Sequence, residues 1–220
     1  MTTTATAGTA VPSTSAVRSR RLLACGIVAA PLYVAVVLAQ ALTRDGFDLT
    51  RHPASLLANG DLGWIQTTNF VVSGVLSVLA AVGLRSALTG RGRTWAPRLL
   101  AMYGVGLLLA AAFPADPAAG FPVGTPADYA EISSRGAGHF VAGTIGFSGL
   151  IAACFVMAAH FRSTGRTAWA RYSTATGALF TASFLGLMAG AGRPVTIVGF
   201  GVAVLIGWTW IAAICSHFRR

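Results

Sequence analysis

The fold of this chain follows from the stretch Leu22–Leu42, which reads LLACGIVAAPLYVAVVLAQAL and contains no charged side chain. As a helix that rises about 1.5 Å per residue, this stretch is long enough to cross the roughly 30 Å hydrocarbon core of a bilayer. Three arginines, Arg18, Arg20 and Arg21, come directly before it. The stretch therefore predicts a first transmembrane helix over about 22–42.

The residues before this helix have a different composition. Residues 1–17 are uncharged and consist of Thr, Ala, Ser, Gly, Val and Pro after the initial Met. Such a segment has too little apolar surface to offset the entropy of ordering, so the sequence predicts a disordered cytoplasmic tail over 1–21. An alternative for the first helix is a cleaved signal peptide, because Ala39-Gln40-Ala41 matches the small-residue pattern of a cleavage site.

Five later segments repeat the apolar pattern of the first. They cover residues 65–84, 97–113, 138–159, 172–191 and 195–216. The whole chain of 220 residues is 55% hydrophobic and only 10% charged, against roughly 25% charged residues in soluble domains. This composition excludes a water-soluble enzyme. The sequence predicts an all-α fold, an integral membrane bundle of six transmembrane helices that forms one domain over 22–218.

The arginines are unevenly distributed among the segments that flank these helices. The N-terminal flank, residues 85–98, residues 162–171 and the C-terminal end together contain 12 of the 16 arginines. By the positive-inside rule these four segments face the cytoplasm. The sequence therefore predicts a multi-pass protein of the plasma membrane with its N and C termini in the cytoplasm.

The net charge of +10 raises the question of nucleic-acid binding. The basic side chains are spread over four membrane flanks and lack interleaved aromatic residues on which bases would stack. No nucleic-acid partner is therefore expected. Attraction to anionic head groups of the lipid bilayer accounts for the charge equally well.

Two of the predicted loops are much longer than the others. They cover about 43–64 and 114–137, and both lie on the extracytoplasmic side in the predicted topology. Loops longer than about 12–15 residues are usually functional or disordered. These two contain aromatic residues, prolines and both signs of charge, so we expect ordered caps over the bundle. A local function is expected on this face.

Small residues recur at every fourth position in three of the predicted helices. They are Gly138, Ala142 and Gly146; Thr174, Ala178, Ala182, Gly186 and Gly190; and Gly199, Ala203 and Gly207. Such stripes let helix backbones approach closely in a membrane. They predict close packing inside the monomer or, alternatively, the seam of a homodimer.

Chemically versatile side chains collect in and beside the two long loops. Catalytic candidates are His139, Asp116 and Ser55, and ligand-binding candidates are His52, Asp61, Trp64, Asn69 and Phe121. Asp116 and His139 end and begin consecutive helices, so a contact between them is expected. Asp116 would then orient the imidazole as a general base.

Two alternatives remain for these residues. In the first, Asp116 and His139 join His52 and Asp61 around a divalent metal. In the second the roles are structural, and Asp116 caps a turn or pairs with Arg135 while His139 bonds a loop carbonyl.

Several kinds of activity are disfavoured by what the sequence lacks. It has no phosphate-binding glycine loop followed by Lys and no HExxH or GxSxG motif. No cofactor is therefore expected, and nucleotide-driven transport within this chain is disfavoured. The predicted helix interiors also lack the buried charges that mark proton and ion pathways, which disfavours a secondary transporter.

The motifs of the two long loops resemble those of a known family. They are His52-Pro53-Ala54-Ser55-Leu56, Gly63-Trp64, Phe70 with Gly74, Phe113-Pro114-Ala115-Asp116, Gly120-Phe121-Pro122 and His139. Together they resemble the bacterial domain-of-unknown-function family 998, over roughly residues 22–218. The resemblance implies a small multi-pass membrane protein with six helices and external motifs centred on Ser55, Asp116 and His139.

Three functions are compatible with these observations. The leading hypothesis is a membrane protein that binds a lipid or another apolar small molecule beneath its extracytoplasmic loops. An alternative is a membrane-embedded enzyme, a hydrolase or cyclase that uses the His, Asp and Ser side chains. A third is a partner subunit of a membrane complex with no catalytic site of its own.

Overall fold

The computed structural model describes residues 14–90, 92–129, 131–190 and 192–220. In these ranges the chain forms six α-helices, one short 3-10 helix and no strand. They are α1 (Thr14–Thr43), the 3-10 helix Ala54–Ala58, α2 (Gly63–Ala87), α3 (Trp95–Ala112), α4 (Ser134–Ser163), α5 (Thr167–Ala189) and α6 (Pro194–Arg219). The prediction of an all-α membrane bundle is confirmed.

Five of the helices in the described ranges are long and apolar enough to cross a membrane: α1, α2, α3, α4 and α6. The sixth, α5, is less apolar because its first half contains Tyr172, Ser173, Thr174 and Thr176. The protein is therefore a multi-pass helical membrane protein. Six spans remain the prediction, and α5 is the helix on which that number depends.

The helices extend beyond the predicted apolar segments. The largest difference is at α1, which begins at Thr14 rather than at residue 22. The predicted disordered tail over 1–21 is thus wrong from Thr14 onward, and residues 1–13 lie outside the described residues. Hydropathy marks only the part that crosses hydrocarbon, whereas the helix continues on its N-terminal side through the arginine-containing residues 14–21. Arginine and alanine favour helix.

The six helices form a ring in chain order. Each packs against the next, and α6 closes the ring by packing against α1. Two long loops, residues 44–62 and 113–133, contact each other at one end of the ring, which we call the loop end. The opposite end carries most of the arginines, and we call it the arginine end.

Glycines set the closest helix contacts. A Cβ on Gly106 in α3 would lie 2.5 Å from the Cα of Gly146 in α4, and one on Gly26 in α1 would lie 2.5 Å from the Sγ of Cys215 in α6. Only glycine permits backbones this close. By contrast, Gly186 in α5 has no neighbouring atom within 4 Å of such a Cβ. The small-residue stripes therefore pack inside the monomer at some positions and are open at others.

An aromatic group fills the middle of the ring. The indole of Trp208 lies 4.9 Å from the ring of Tyr33 and 5.4 Å from that of Tyr103, measured between centroids. All three residues are buried. They separate the arginine end, where α1 and α6 touch, from the loop end.

Candidate functional site

The two long loops form one cap over the loop end, and His52 joins them. The backbone N–H of Asp48 donates to Nδ1 of His52 at 2.9 Å. Because Nδ1 accepts, the proton lies on Nε2, which donates to the carbonyl of Ala119 in the second loop at 3.1 Å. His52 is 2% exposed. It is thus a neutral histidine with both nitrogens satisfied within the cap.

An aromatic cluster reinforces this junction. The ring of Phe121, which is 1% exposed, lies 5.1 Å from Phe47 and 5.5 Å from His52. The guanidinium of Arg44 lies 4.8 Å from the Phe121 centroid and donates to two carbonyls of the first loop. Desolvation lowers the pKa of Arg44, and the nearby Asp61 carboxylate opposes this shift. The cap is an ordered unit, as the sequence led us to expect.

A cavity of about 280 Å³ lies beneath the cap, between α1, α3, α4 and α6. Its walls are almost entirely apolar, with Val37, Leu107 and Phe200 from three of these helices. The polar groups at its boundary come from tyrosine, serine and histidine side chains: Tyr33, Tyr103, Ser55, His52 and His139. Small-molecule sites usually occupy about 300–1,000 Å³ and are mostly apolar with a few polar groups. This cavity is slightly smaller than the lower limit of that range.

Three of the predicted site residues line this cavity: His52, Ser55 and His139. The Ser55 hydroxyl has no hydrogen-bond partner among the residues that the structure describes, so it is available to a ligand. The imidazole of His139 donates from Nδ1 to the carbonyl of Phe113 at 2.9 Å. A carbonyl can only accept, so this bond fixes a proton on Nδ1, and in the neutral ring Nε2 is then an acceptor.

Asp116 does not line the cavity but forms hydrogen bonds with Ser133. Its carboxylate accepts hydrogen bonds from Ser133, at 2.8 Å from the backbone N–H and 2.6 Å from the hydroxyl. The Ser133 hydroxyl in turn accepts from the N–H of Gly136 and caps α4. No hydrogen bond joins Asp116 to His139 in the described ranges. The expected orientation of His139 by Asp116 is thus wrong, and the Phe113 carbonyl takes that place.

The metal alternative is also not supported by the geometry. Within the described residues, no group of three or more His, Cys, Asp and Glu side chains is close enough to hold a metal ion. Both nitrogens of His52 and the carboxylate of Asp116 already have protein partners. His52, Asp61, Asp116 and His139 therefore do not form a common ligand set.

The remaining predicted ligand-binding residues lie outside the cavity. Trp64 is 65% exposed at the start of α2, a position typical of the aromatic belt at a membrane interface. Asn69 is buried between α1 and α2, where it donates to the Tyr33 carbonyl and to the side chain of Gln66. Phe121 belongs to the cap. Asn69 and Phe121 therefore stabilise the structure around the cavity, whereas Trp64 faces outward.

Sequence reasoning missed the residues of the helices that shape the cavity. Tyr33 and Tyr103 lie in the middle of apolar segments rather than at their ends, where tyrosines usually lie in membrane proteins. Their unusual position in the middle of these segments could have identified them as candidate cavity residues. Gly143, which also lines the cavity, gave no signal because the chain contains 26 glycines.

The ring of apolar helices with its capped cavity defines a multi-pass helical membrane protein. The profile of the family described as "Protein of unknown function (DUF998)" matches residues 27–217. The chain belongs to this family, as the motifs in the loops had suggested. No curated protein and no solved structure matches the chain.

Proposed function

We propose that this protein binds one lipid-like, apolar small molecule in the cavity beneath the cap. The observation that carries the proposal is the cavity itself, with apolar walls and a small group of polar side chains at one end. Protein interiors pack densely, so an apolar space of this size next to a bilayer favours an apolar occupant. The available hydroxyl of Ser55 and the acceptor nitrogen of His139 would bind its polar end.

Trp208 provides a way to test this proposal. Its indole packs on Tyr33 and Tyr103, which both line the cavity, so a bromine atom in the cavity would quench its fluorescence. We expect a brominated long-chain alcohol, added to the protein in lipid nanodiscs, to quench fluorescence saturably. The saturable part should disappear in Trp208→Phe.

Two glycine variants make this test specific. A Cβ on Gly143 would meet only the Phe147 ring at 3.7 Å, so Gly143→Leu fills part of the cavity without displacing backbone. Gly199 has nothing within 4 Å and does not line the cavity, so Gly199→Leu is the matched control. We expect Gly143→Leu to weaken binding about tenfold, as lost contacts worth about 1.4 kcal/mol would. No saturable quenching in the wild type, or equal binding by both variants, would contradict the proposal.

A second candidate function is hydrolysis of a long-chain ester. It is favoured by one observation, that Ser55 and His139 line the same cavity and that His139 has its proton on Nδ1. In this tautomer Nε2 would accept the Ser55 proton as the hydroxyl attacks the ester carbonyl, and would return it to the alcohol that departs as the ester C–O bond breaks. Water would then hydrolyse the acyl-serine, releasing the acid and restoring the Ser55 hydroxyl. The test is hydrolysis of a nitrophenyl ester of a long-chain acid by the purified protein. Activity that persists in Ser55→Ala would exclude this mechanism.

A further inference from the structure

The route into the cavity depends on how α1 and α6 diverge. At the arginine end they touch directly, since a Cβ on Gly26 would lie 2.5 Å from the sulfur of Cys215. In the middle they are still joined by the stacked rings of Tyr33 and Trp208. The two helices therefore pack closely over the half of their length that lies towards the arginine end.

Towards the loop end, the facing sides of these two helices are exposed. Helical residues differ in direction by about 100°, so Val198, Gly201 and Leu205 lie on one side of α6. Val198 is 42% exposed and Leu205 is 42% exposed. On α1, Leu38 is 41% exposed. The same residues line the cavity, so the cavity opens to the surface between α1 and α6.

Two other helix contacts around the cavity, α1–α2 and α3–α4, are closed. The α1–α2 contact continues to the loop end through the side chains of Gln40 and Gln66, which are joined by a 3.0 Å hydrogen bond. The α3–α4 contact is closed by Gly106 against Gly146. The cap covers the top with residues of the first loop. In a bilayer spanned by these helices, the gap between α1 and α6 would face hydrocarbon in the leaflet at the loop end.

The lining also restricts the charge of the occupant. Among the described residues the lining contains no Asp, Glu or Arg, and the chain has no Lys. At His52, Nδ1 accepts from the backbone N–H of Asp48 and Nε2 bonds the Ala119 carbonyl, so this ring carries one proton and no charge. At His139, Nδ1 bonds the carbonyl of Phe113. A phosphate or ammonium group in such a site would be a buried charge without a partner, which is strongly unfavourable.

We infer that the ligand enters sideways from the membrane through the gap between α1 and α6, and that it is a single-chain amphiphile with an uncharged polar end. The chain lies along Val34, Leu38, Val198 and Leu205, and the polar end reaches Ser55 and His139. This inference rests on the proposed function, since it names the class of ligand and its path into the same cavity.

The path is tested by the rate of ligand release. Gly201→Phe places a ring in the gap, where a Cβ has no neighbour within 4 Å, and Gly199→Phe places the same ring on the same helix away from the cavity. After loading with the brominated long-chain alcohol, an excess of empty vesicles is added and the recovery of Trp208 fluorescence is followed. We expect release to slow about tenfold in Gly201→Phe and to be unchanged in Gly199→Phe.

Release distinguishes a blocked path from a filled site. A ring that only filled the cavity would weaken binding and speed release, as expected for Gly143→Leu. Faster or unchanged release in Gly201→Phe would therefore overturn the sideways path while leaving the proposed binding intact. If the wild type shows no saturable quenching at all, the proposed binding itself is contradicted, and the path inferred from it is contradicted as well.

The ligand class is tested by competition. Unbrominated alcohol, alkyl phosphate and alkyl trimethylammonium of equal chain length are each added to the loaded protein. We expect the alcohol to displace the brominated probe, and the two charged compounds to displace it at least about tenfold less well. Displacement by the phosphate or the ammonium compound as effective as that by the alcohol would overturn the assignment of an uncharged polar end.

Discussion

The carboxylate of Asp116 accepts two hydrogen bonds from Ser133, one from its backbone N–H at 2.8 Å and one from its hydroxyl at 2.6 Å. Ser133 is the N-cap of α4, and Asp116 follows the end of α3. The pair therefore fixes the second long loop between the two helices that carry Gly106 and Gly146. Because Asp116 bonds Ser133, the imidazole of His139 donates its hydrogen bond to the carbonyl of Phe113 instead.

This pair predicts a structural role for Asp116. We expect Asp116→Ala to lower the free energy of unfolding by about 1–2 kcal/mol, because Ser133 loses both acceptors and the cap of α4 is weakened. Ligand binding should persist, since Asp116 does not line the cavity. The measurements are thermal unfolding in detergent and the quenching assay. Asp128→Ala, an exposed acid of the same loop, should leave stability unchanged, and an equal loss in both variants would argue against the cap.

The contact of α3 with α4 predicts a strong effect of one methyl group. In Gly106→Ala the Cβ would lie 2.5 Å from the Cα of Gly146, so we expect a loss of about 1–3 kcal/mol from overpacking. Gly143→Ala in α4 is the control, because its Cβ meets only an ordinary contact at 3.7 Å. Equal unfolding temperatures for the two variants would contradict the close approach of these helices.

The open positions of the small-residue stripes give the opposite prediction. A Cβ on Gly186 would have no atom within 4 Å, so Gly186→Leu should leave the stability of the monomer unchanged in thermal unfolding. The homodimer remains a proposal that this variant also tests. Loss of a cross-linked dimer at unchanged monomer stability would support a seam at α5, whereas destabilised monomer would show that Gly186 packs within the chain.

We expect the first long loop to become less stable in acid, because Asp48 is protonated there. Hydrogen bonds from the backbone N–H and hydroxyl of Thr50 lower the pKa of Asp48. A lowered pKa in the folded loop means that the stabilisation is complete above the unfolded value of about 3.9 and is lost as the pH falls through the folded pKa. Limited proteolysis of the loop should therefore accelerate in this acidic range. In Asp48→Asn the acid-dependent part should vanish, and a persistent acid response would assign it to another group.

The number and direction of spans can be tested by cysteine labelling. We start from a variant in which the three native cysteines are replaced, and add single cysteines at Asp128, Thr164 or Arg193, which are all exposed. With six spans and cytoplasmic termini, an impermeant maleimide added to intact cells should label positions 128 and 193 but not 164. Equal labelling of 164 and 193 would mean that α5 does not cross, and an inverted pattern would reverse the orientation.

The sequence by itself determined the class of protein. Runs such as Leu22–Leu42 can bury their side chains only in hydrocarbon, and a backbone in hydrocarbon must satisfy its own hydrogen bonds, so helices were the necessary outcome. The lengths and residue types of the two long loops likewise pointed to an ordered cap, with His52 and Ser55 in it and His139 beside it. These conclusions depend on composition and local pattern, which a single sequence contains.

Only the tertiary structure decided which of these groups meet. Asp116 and His139 are both close to the α3–α4 connection, but the Asp116 carboxylate bonds Ser133, which lies only six residues before His139. Ser133 is at the N-terminus of α4 and offers two donors, its backbone N–H and its hydroxyl. The cavity depends on the divergence of α1 from α6, helices at opposite ends of the chain. Contacts over such separations result from the packing of the whole ring, and no local pattern in the sequence specifies them.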